Sequence, residues 1–425
     1  MLQIPKLKEL SFLVYGLGLS GCSVVKFFKK KNIKNFKVWD DKHKRLFKNY
    51  RTKNIGNTLN EVDYIVLSPG ISLIKNQVLK KYKKKIITDI DLFYLSQSKL
   101  KSIVVTGTNG KSTTCKLLAH LLKKNRVNCF LGGNIGTPIL DIKNFKKKFA
   151  IIEASSFQLS HSQFIHPDYA FLINITNDHL DWHGNKRNYL NSKFKIFNLQ
   201  TKKNIAIVNK KFLKFLKKKF SSKFIIPENK KYKTIKHRIK NDYLKLNIND
   251  ENMGFVFTFS KLLRIKEKKF VNSMNSFKGL PHRFEIFLNK KNVTFINDSK
   301  ATSFKATLPA LQSLKNIYWI LGGLPKKSDK INLSTCENNI SKCYLVGKNI
   351  RFFESQISGK LPFSVTSNLK NSIIKILKDC KKEKKNINKF VLLSPAAASF
   401  DQFINFETRG EKFKKLSKIY ARKLI

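Results

Sequence analysis

The chain lacks any apolar run long enough to cross a membrane, and its cysteines show no pairing pattern. No stretch of the 425 residues approaches the ~18 consecutive apolar residues of a transmembrane helix, so we expect no membrane span. The start of the chain, Met1–Lys6, has neither the apolar segment nor the cleavage site of a signal peptide. The six cysteines are scattered without a C-x-x-C pair, which is typical of a reduced, cytoplasmic protein without a zinc site.

Acidic side chains are also scarce. Only 27 Asp and Glu stand against 85 Lys and Arg, which gives a formal net charge of +58. A charge of this size suggests nucleic-acid binding, and a nucleic-acid-binding NTPase is one alternative. The lysines are spread over the whole chain rather than gathered in one arm or stripe, however. A compositional bias that loads every solvated face therefore explains them better, and we expect no specific nucleic-acid partner.

The length and the apolar content predict several α/β domains. With 42% hydrophobic residues, 425 residues can form two to four domains with separate cores. Strand-like apolar runs alternate with helical periodicity, which indicates parallel sheets covered on both faces. We predict three domains: a Rossmann-like domain over residues 1–95, a central P-loop ATPase-type sheet over 96–279, and a Rossmann-like α/β domain over 280–425.

The most informative stretch is a glycine loop between a strand and a helix. The β-branched run Ser102–Thr106 is followed by Gly107-Thr108-Asn109-Gly110-Lys111-Ser112-Thr113 and then by an apolar-periodic helix. Such a loop points backbone N–H groups and the positive end of the helix toward a polyphosphate. Lys111 would contact the outer phosphates and the Ser112 hydroxyl would bind Mg²⁺. The two residues between the glycines, instead of the usual four, make this a short form of the loop.

A second glycine motif lies near the start of the chain. Gly16–Gly21 follows a strand, opens a helix and precedes a second strand that ends at Asp40, as in a dinucleotide-binding fingerprint. The motif predicts a nucleotide-like diphosphate at this helix N-terminus. An NAD-dependent oxidoreductase is a further alternative, but it rests on this motif alone and leaves the P-loop unexplained.

Polar clusters follow several of the predicted strands. In the central domain they are Gly132–Gly136, Glu153 with the residues after it, and Asn174–Asp181. A metal role is favoured for His179, because it lies beside the P-loop and two acidic residues. In the third domain they are Asn297–Thr302, Gly322-Gly323, Gly347 and Ser394–Ser399. Ligands of parallel sheets bind at the carboxyl ends of the strands, so these loops are candidate site segments.

Taken together, these motifs resemble the Mur ligase family over nearly the whole chain. The segments that show it are Gly16–Gly21, Ser68–Ile71, Thr106–Thr113, Gly132–Gly136, Glu153–Leu159, Asn174–Asp181, Gly279–Glu285, Asn297–Thr302 and Ser394–Gly410. The last segment is most similar to members that add D-glutamate to UDP-N-acetylmuramoyl-L-alanine. The resemblance implies an ATP-dependent amide ligase of peptidoglycan precursor synthesis that uses two Mg²⁺ ions and an acyl-phosphate intermediate. Another muropeptide ligase and a folylpolyglutamate synthase are the alternatives within the superfamily.

The resemblance also implies roles for individual residues. Lys111, His179 and Lys193 would be catalytic. Ser112 and Glu153 would hold one Mg²⁺, while His179 and a carbamylated Lys193 would serve the second. ATP would contact Gly107, Thr108, Asn109, Gly110, Lys111, Ser112, Thr113, Asn252, Arg283, Asp298 and Lys300. The substrate residues would be Leu19, Ser20, Asp40, Gly70 and Asn134 for the UDP moiety, Ser155 and Gln158 beside them, and Thr302, Lys326, Ser399 and Phe406 for D-glutamate.

Two positions depart from the family pattern. Phe255 stands where a second asparagine commonly follows Asn252, which weakens the adenine assignment. Leu324-Pro325 precedes Lys326 where some members carry an acidic residue. Neither departure touches the metal or phosphate residues.

Overall fold

A computed structural model describes residues 4–96, 100–141, 148–176, 178–326, 329–383 and 387–425. Its strands form three sheets, of four, six and six strands, and each sheet is covered by helices. The prediction of three α/β domains is thereby confirmed. The chain divides into two compact units, one of residues Met1–Ile239 with Glu251–Ser276, and one of Lys240–Asp250 with Phe277–Ile425. The domain limits predicted from the sequence stay predictions.

The first sheet lies at the beginning of the first unit. Its strands run in the order β2-β1-β3-β4 and all pair in parallel. The elements are α1 (Ile4–Glu9), β1 (Phe12–Tyr15), α2 (Leu19–Lys30), β2 (Phe36–Trp39), α3 (Ile55–Glu61), β3 (Tyr64–Leu67), α4 (Gln77–Lys81), β4 (Ile86–Ile87) and α5 (Asp89–Ser96). The fully buried strand β1 explains the continuous apolar run in the sequence, because both faces of the sheet are covered.

The second sheet belongs to the same unit and has the parallel order β10-β9-β8-β5-β7-β6. Its first elements are β5 (Lys101–Thr106), α6 (Lys111–Lys124), β6 (Cys129–Gly133), β7 (Phe149–Glu153), α7 (Ser156–His161), β8 (Tyr169–Leu172), α8 (Leu180–His183) and α9 (Lys186–Phe194). The Lys-rich part that follows folds into β9 (Ile205–Val208), α10 (Lys210–Lys219), β10 (Lys223–Ile225), α11 (Asn229–Ile235), α12 (Asp242–Lys245), α13 (Asp250–Leu262) and α14 (Glu267–Asn275). Of these, α12 belongs to the second unit.

The apolar runs at 127–131, 149–153 and 169–175 predict three strands of this sheet, and two of them need small corrections. β7 has the predicted bounds, but β6 spans Cys129–Gly133 rather than 127–131, and β8 ends at Leu172 rather than at residue 175. The end of β8 has a physical reason. Its ladder partner β5 ends at Thr106, and beyond that point the Asn174 carbonyl accepts a hydrogen bond from the Thr108 N–H of the P-loop at 2.9 Å.

The third sheet forms the second unit, with the order β11-β12-β16-β13-β14-β15. Its elements are β11 (Glu285–Lys290), β12 (Val293–Asn297), α15 (Phe304–Ser313), β13 (Ile317–Gly322), β14 (Ile340–Val346), α16 (Ile350–Ile357), β15 (Phe363–Ser367), α17 (Leu369–Lys382), β16 (Lys389–Leu393) and α18 (Phe406–Leu424). Only the edge pair β11–β12 is antiparallel. Lys291 and Asn292 join these strands with φ of 44° and 59°, as a two-residue hairpin turn requires.

Each sheet has its own apolar core. In the third sheet the cluster includes Trp319, Leu345 and Leu392, and Tyr243 and Leu246 of the 240–250 segment pack against it. This packing explains why that segment belongs to the second unit. Among the described residues, no helix combines the length and the apolar character that crossing a membrane requires.

Candidate active site

The P-loop has the strand–loop–helix geometry that the sequence predicts. β5 ends at Thr106, and α6 begins at Lys111 after Gly110 adopts a left-handed φ of 81°. A Cβ at Gly110 would lie 2.2 Å from Asn252 Oδ1, so glycine is required both for the backbone angle and for the close approach of α13. Ser112 and Thr113 are buried in the first turn of α6.

The lysine of the loop contacts the loop itself in this state. Lys111 Nζ donates to the carbonyl oxygens of Gly107 and Thr108, each at 2.8 Å. The next loop of the sheet also holds the P-loop, because the Asn109 N–H donates to Asn174 Oδ1 at 2.9 Å. Two backbone N–H groups of the loop, those of Thr108 and Asn109, are thus engaged by Asn174.

Lys193 lies directly behind this loop. It is 1% exposed, and its Nζ donates to the Gly107 carbonyl oxygen at 2.8 Å. The Nζ also lies 4.7 Å from the centre of the Tyr189 ring, whose hydroxyl is 2.8 Å from Thr108 Oγ1. Burial, and then the charge of Lys111, hold the pKa of Lys193 well below its usual range. Burial and the charge of Lys111 thus both disfavour the charged form of this amine.

Glu153 has the properties of a metal ligand. It ends β7 and is 2% exposed; its Oε1 accepts a hydrogen bond from Asn134 Nδ2 at 2.8 Å, while its Oε2 is buried without a hydrogen-bond partner. Over the described ranges, no group of three His, Cys, Asp or Glu side chains could hold a metal alone. Mg²⁺ commonly uses one or two protein ligands together with phosphate and water oxygens, so Glu153 with the Ser112 hydroxyl fits Mg²⁺.

His179 precedes α8 in a left-handed conformation with φ of 52°. Its ring packs against Phe157 with 4.7 Å between the ring centroids, and its Nε2 lies 3.4 Å from Asp178 Oδ2.

The neighbouring helix α7 begins with a capping box, in which Ser155 Oγ accepts from the Gln158 N–H and Gln158 Oε1 accepts from the Ser155 N–H. The predicted substrate residues Ser155 and Gln158 are thus fixed by each other.

The Gly16–Gly21 loop is held tightly from within the first sheet. A Cβ at Gly21 would lie 1.9 Å from the Gly16 carbonyl oxygen, and Asp40 Oδ2 accepts from the Leu17 N–H at 2.5 Å. Although burial opposes it, hydrogen bonds from the N–H groups of Leu17, His43 and Lys42 lower the pKa of Asp40 to about 2. The carboxylate of Asp40 therefore shapes the loop.

The surface over this loop is open. Leu19 is 84% exposed at the start of α2, with Ser20 beside it. A Cβ at Gly70, after β3, would meet no atom within 4 Å. Asn134, after β6, is also exposed, although its amide reaches Glu153. The structure therefore leaves solvent-accessible space at the residues predicted to bind the UDP moiety.

In the second unit, Asp298 is the most perturbed of the predicted site residues. Its Oδ2 accepts from Ser394 Oγ at 2.7 Å and its Oδ1 accepts from the Phe284 N–H at 3.1 Å. Burial raises the pKa of Asp298 to about 7, although Ser394, Phe284 and the charge of Arg283 oppose the rise. Arg283 itself is half-buried in the loop before β11.

The predicted D-glutamate residues lie in the loops after β12, β13 and β16 and at the start of α18. Lys300 Nζ lies 4.8 Å from the centre of the Phe406 ring, and the Phe406 carbonyl accepts from Ser299 Oγ at 2.8 Å. Ser399 is buried, Thr302 is half-buried and Lys326 is exposed. The structure thus brings Lys300 and Phe406 together, and Ser299 connects them to the buried side chain of Arg409, whose Nε donates to Ser299 Oγ at 3.0 Å.

Sequence reasoning missed two buried carboxylates, Asp89 and Asp91, on α5. Asp91 accepts from the N–H groups of Thr88, Gln163 and Phe164, and burial raises its pKa to about 6 against these bonds. A capping-box pattern of Thr88 followed by Asp91 was the available signal. Asp89 gives no such signal, because its side-chain partner Gln158 lies 69 positions away in the chain.

Comparison with known proteins agrees with this geometry. A model of the Mur ligase middle domain matches residues 105–277, and one of the Mur ligase MurD-like N-terminal domain matches residues 10–88. The UDP-N-acetylmuramoylalanine–D-glutamate ligase of Rickettsia prowazekii (strain Madrid E) is 34% identical over 95% of this chain and 97% of its own length. The ligase of that name from Rickettsia felis is 34% identical over 97% of both chains.

A solved structure shares the fold. The MurF ligase from Thermotoga maritima in complex with ADP superimposes with a TM-score of 0.59 at 17% identity, over 99% of this chain and 98% of that one. The full-length relatives, the two matched domain models and the short P-loop backed by a buried lysine all lead to one conclusion. The chain belongs to the Mur ligase family.

Proposed function

We propose that this protein is the ATP-dependent ligase that joins D-glutamate to UDP-N-acetylmuramoyl-L-alanine in peptidoglycan precursor synthesis, and that it acts in the cytoplasm. The observation that best supports a ligase site is the convergence of Lys111 and Lys193 on the Gly107 carbonyl. The full-length relatives with this name support the substrate assignment.

The reaction consists of two displacements. The substrate carboxylate attacks the γ-phosphorus of ATP, which forms an acyl phosphate and releases ADP. The amine of D-glutamate then attacks the acyl carbon, an amide forms, and phosphate leaves with the proton of the amine passing to solvent or to a nearby base. Both steps bring anions together, so cationic groups and backbone donors must stabilise the negative charge.

Lys111 is suited to the first step. Its two present acceptors are carbonyl oxygens of the P-loop, and phosphate oxygens would replace them with stronger, charge-assisted hydrogen bonds. Asn174 keeps the loop in shape through its contacts with Thr108 and Asn109. The loop is therefore organised before ATP binds.

Two magnesium positions are part of the proposal. Glu153 and Ser112 would hold one ion, and His179 and Lys193 would serve the other, with Lys193 carbamylated. A neutral buried amine is the form of lysine that reacts with carbon dioxide, and the product offers the oxygens that Mg²⁺ prefers. When bound, Mg²⁺ would neutralise charge between the carboxylate and the phosphates.

The remaining residues would bind the three substrates. Leu19, Ser20, Asp40, Gly70, Asn134, Ser155 and Gln158 would contact the UDP-linked substrate. Asn252, Arg283, Asp298 and Lys300 would contact ATP. Thr302, Lys326, Ser399 and Phe406 would contact D-glutamate.

The test is ADP release with UDP-N-acetylmuramoyl-L-alanine and one amino acid at a time: D-glutamate, L-glutamate, L-alanine, L-lysine or meso-diaminopimelate. We expect release only with D-glutamate, and release that is at least ~100-fold slower from the Lys111→Ala variant. A preference for L-lysine or meso-diaminopimelate would indicate a different muropeptide ligase, and no release with any of them would reject the proposed function.

A further inference from the structure

Asp89 lies at the edge of the first sheet where ligands are expected. It lies two residues after the end of β4, and Gly16, Asp40 and Ser68 each come directly after one of the other three strands of that sheet. Ligands of parallel α/β sheets bind outside the carboxyl ends of the strands. Asp89 therefore lies at the ligand-binding edge, although neither the motifs nor the proposed function includes it.

The carboxylate of Asp89 lies between two predicted binding elements. Its Oδ1 accepts from Gln158 Nε2 at 3.4 Å, and Gln158 Oε1 is held by Ser155 at the start of α7. On the other side, the Ser20 hydroxyl at the start of α2 lies close enough to the carboxylate to influence its pKa. Asp89 thus lies between the Gly16–Gly21 loop of the first sheet and the capping box of α7 in the second sheet.

One oxygen of this group has no partner. Asp89 is 3% exposed, and its Oδ2 is buried without a hydrogen-bond partner. A buried charged oxygen without a donor is costly, whereas a protonated oxygen can donate a hydrogen bond itself. By contrast, Asp91 on the same helix uses both oxygens on N–H groups.

The surroundings favour the protonated form. Burial raises the pKa of Asp89, and the bonds from Gln158, Ser20 and the Ile90 N–H only partly oppose the rise. The titratable groups on the neighbouring elements are occupied elsewhere or exposed. They are Asp91, bound to N–H groups; His161 of α7, near the Ile71 carbonyl; Asp141, which accepts from Ser23 of α2; Lys26 of α2; and Lys6, Lys8 and Glu9 of α1.

We propose that Asp89 is a positioning residue that acts as a neutral carboxylic acid. Its Oδ1 accepts from the Gln158 amide. When the UDP substrate binds, its Oδ2–H, which has no partner in this structure, donates to the Ser20 hydroxyl, and Ser20 then directs its own hydrogen toward the anionic diphosphate. This inference rests on the proposed function. A neutral acid at this place also avoids the repulsion that a carboxylate would exert on a bound diphosphate.

The test compares substitutions that keep or remove the donor. In Asp89→Asn, the amide can still accept from Gln158 and donate to Ser20, so KM for UDP-N-acetylmuramoyl-L-alanine should stay within about threefold of the unaltered enzyme. In Asp89→Ala this KM should rise about tenfold or more, the scale of one hydrogen bond that supports a charged group. The KM values for ATP and D-glutamate should not change. A general structural defect would instead change all three KM values. If the alanine variant does not fold, Asp89→Leu keeps the branched shape of the side chain without its polar atoms.

Two further measurements complete the test. If Asp89 acts through Ser20, the double variant Ser20→Ala with Asp89→Ala should be no worse than Ser20→Ala alone. Asp91→Asn is the matched control, and it should lower the unfolding midpoint without changing KM for the UDP substrate selectively. An unchanged KM in folded Asp89→Ala or Asp89→Leu, an equal rise in Asp89→Asn, or additive effects with Ser20→Ala would each overturn the inference. None of these outcomes bears on D-glutamate-dependent ADP release by the unaltered enzyme, which tests the proposed function separately.

Discussion

Replacement of Lys193 by methionine should separate stability from activity. The Gly107 carbonyl oxygen accepts from Lys193 Nζ and from Lys111 Nζ, each at 2.8 Å, so it keeps one donor when Lys193 is replaced. Methionine can fill the space of the aliphatic stem against Tyr189, and it removes an amine whose pKa burial has already lowered. We therefore expect the free energy of unfolding to change by no more than about 1 kcal/mol, the scale of one neutral hydrogen bond.

Activity should respond quite differently. Loss of a group that stabilises charge at the reacting phosphate should lower turnover at least ~100-fold, which corresponds to about 2.7 kcal/mol. The measurements are ADP release at saturating substrates and urea unfolding of the same preparation. Acetate, formate or bicarbonate should partly restore activity to Lys193→Ala, because a small oxyanion can enter the space that the truncated side chain leaves.

The matched control is Lys186→Met, since Lys186 is an exposed lysine on the same helix α9. It should keep both its activity and its stability. Turnover of folded Lys193→Met within about threefold of the unaltered enzyme, against the ~100-fold loss expected of an electrostatic stabiliser, would refute the assignment of Lys193.

Three further predictions follow from the geometry. Lys111→Ala should release ADP at least ~100-fold more slowly while its unfolding curve is unchanged, and near-normal release would show that this loop is not the ATP site. Gly110→Ala should cost about 1–2 kcal/mol in urea unfolding and weaken ATP binding, because alanine is strained at a φ of 81° and its Cβ would lie 2.2 Å from Asn252 Oδ1; unchanged stability would contradict this. The raised pKa of Asp298, about 7, means that the stability contributed by its neutral form is present below its ordinary pKa and is lost as the pH rises through 7. The free energy of unfolding should therefore fall between pH 5 and pH 8 by at least about 1 kcal/mol more in the unaltered protein than in Asp298→Asn. An equal fall in the two proteins would reject the shifted pKa.

Features with a local cause could be predicted from the sequence. The P-loop was recognisable because a β-branched strand, two glycines and a lysine lie within a dozen residues, and the left-handed φ of Gly110 depends on its own missing side chain. The all-buried strand β7 was also found with its bounds correct, since a strand covered on both faces is a continuous apolar run. The edge strand β11 shows the limit of such patterns, because its antiparallel pairing depends on a two-residue turn that the apolar run does not reveal.

The sequence by itself determined the sheet-and-helix alternation, the phosphate loop and the family, because each is written in short-range patterns. The tertiary structure alone decided which charged side chains are buried and have shifted pKa values. Lys193 is one of many lysines in a chain of net charge +58, and only the fold brings it to a carbonyl 86 positions away and buries it there. Asp89 is likewise unremarkable in the sequence, yet the packing of two sheets places it against Gln158 and removes it from water. Burial and long-range proximity set a side chain's pKa and its partners, and neither can be read from the residues beside it in the chain.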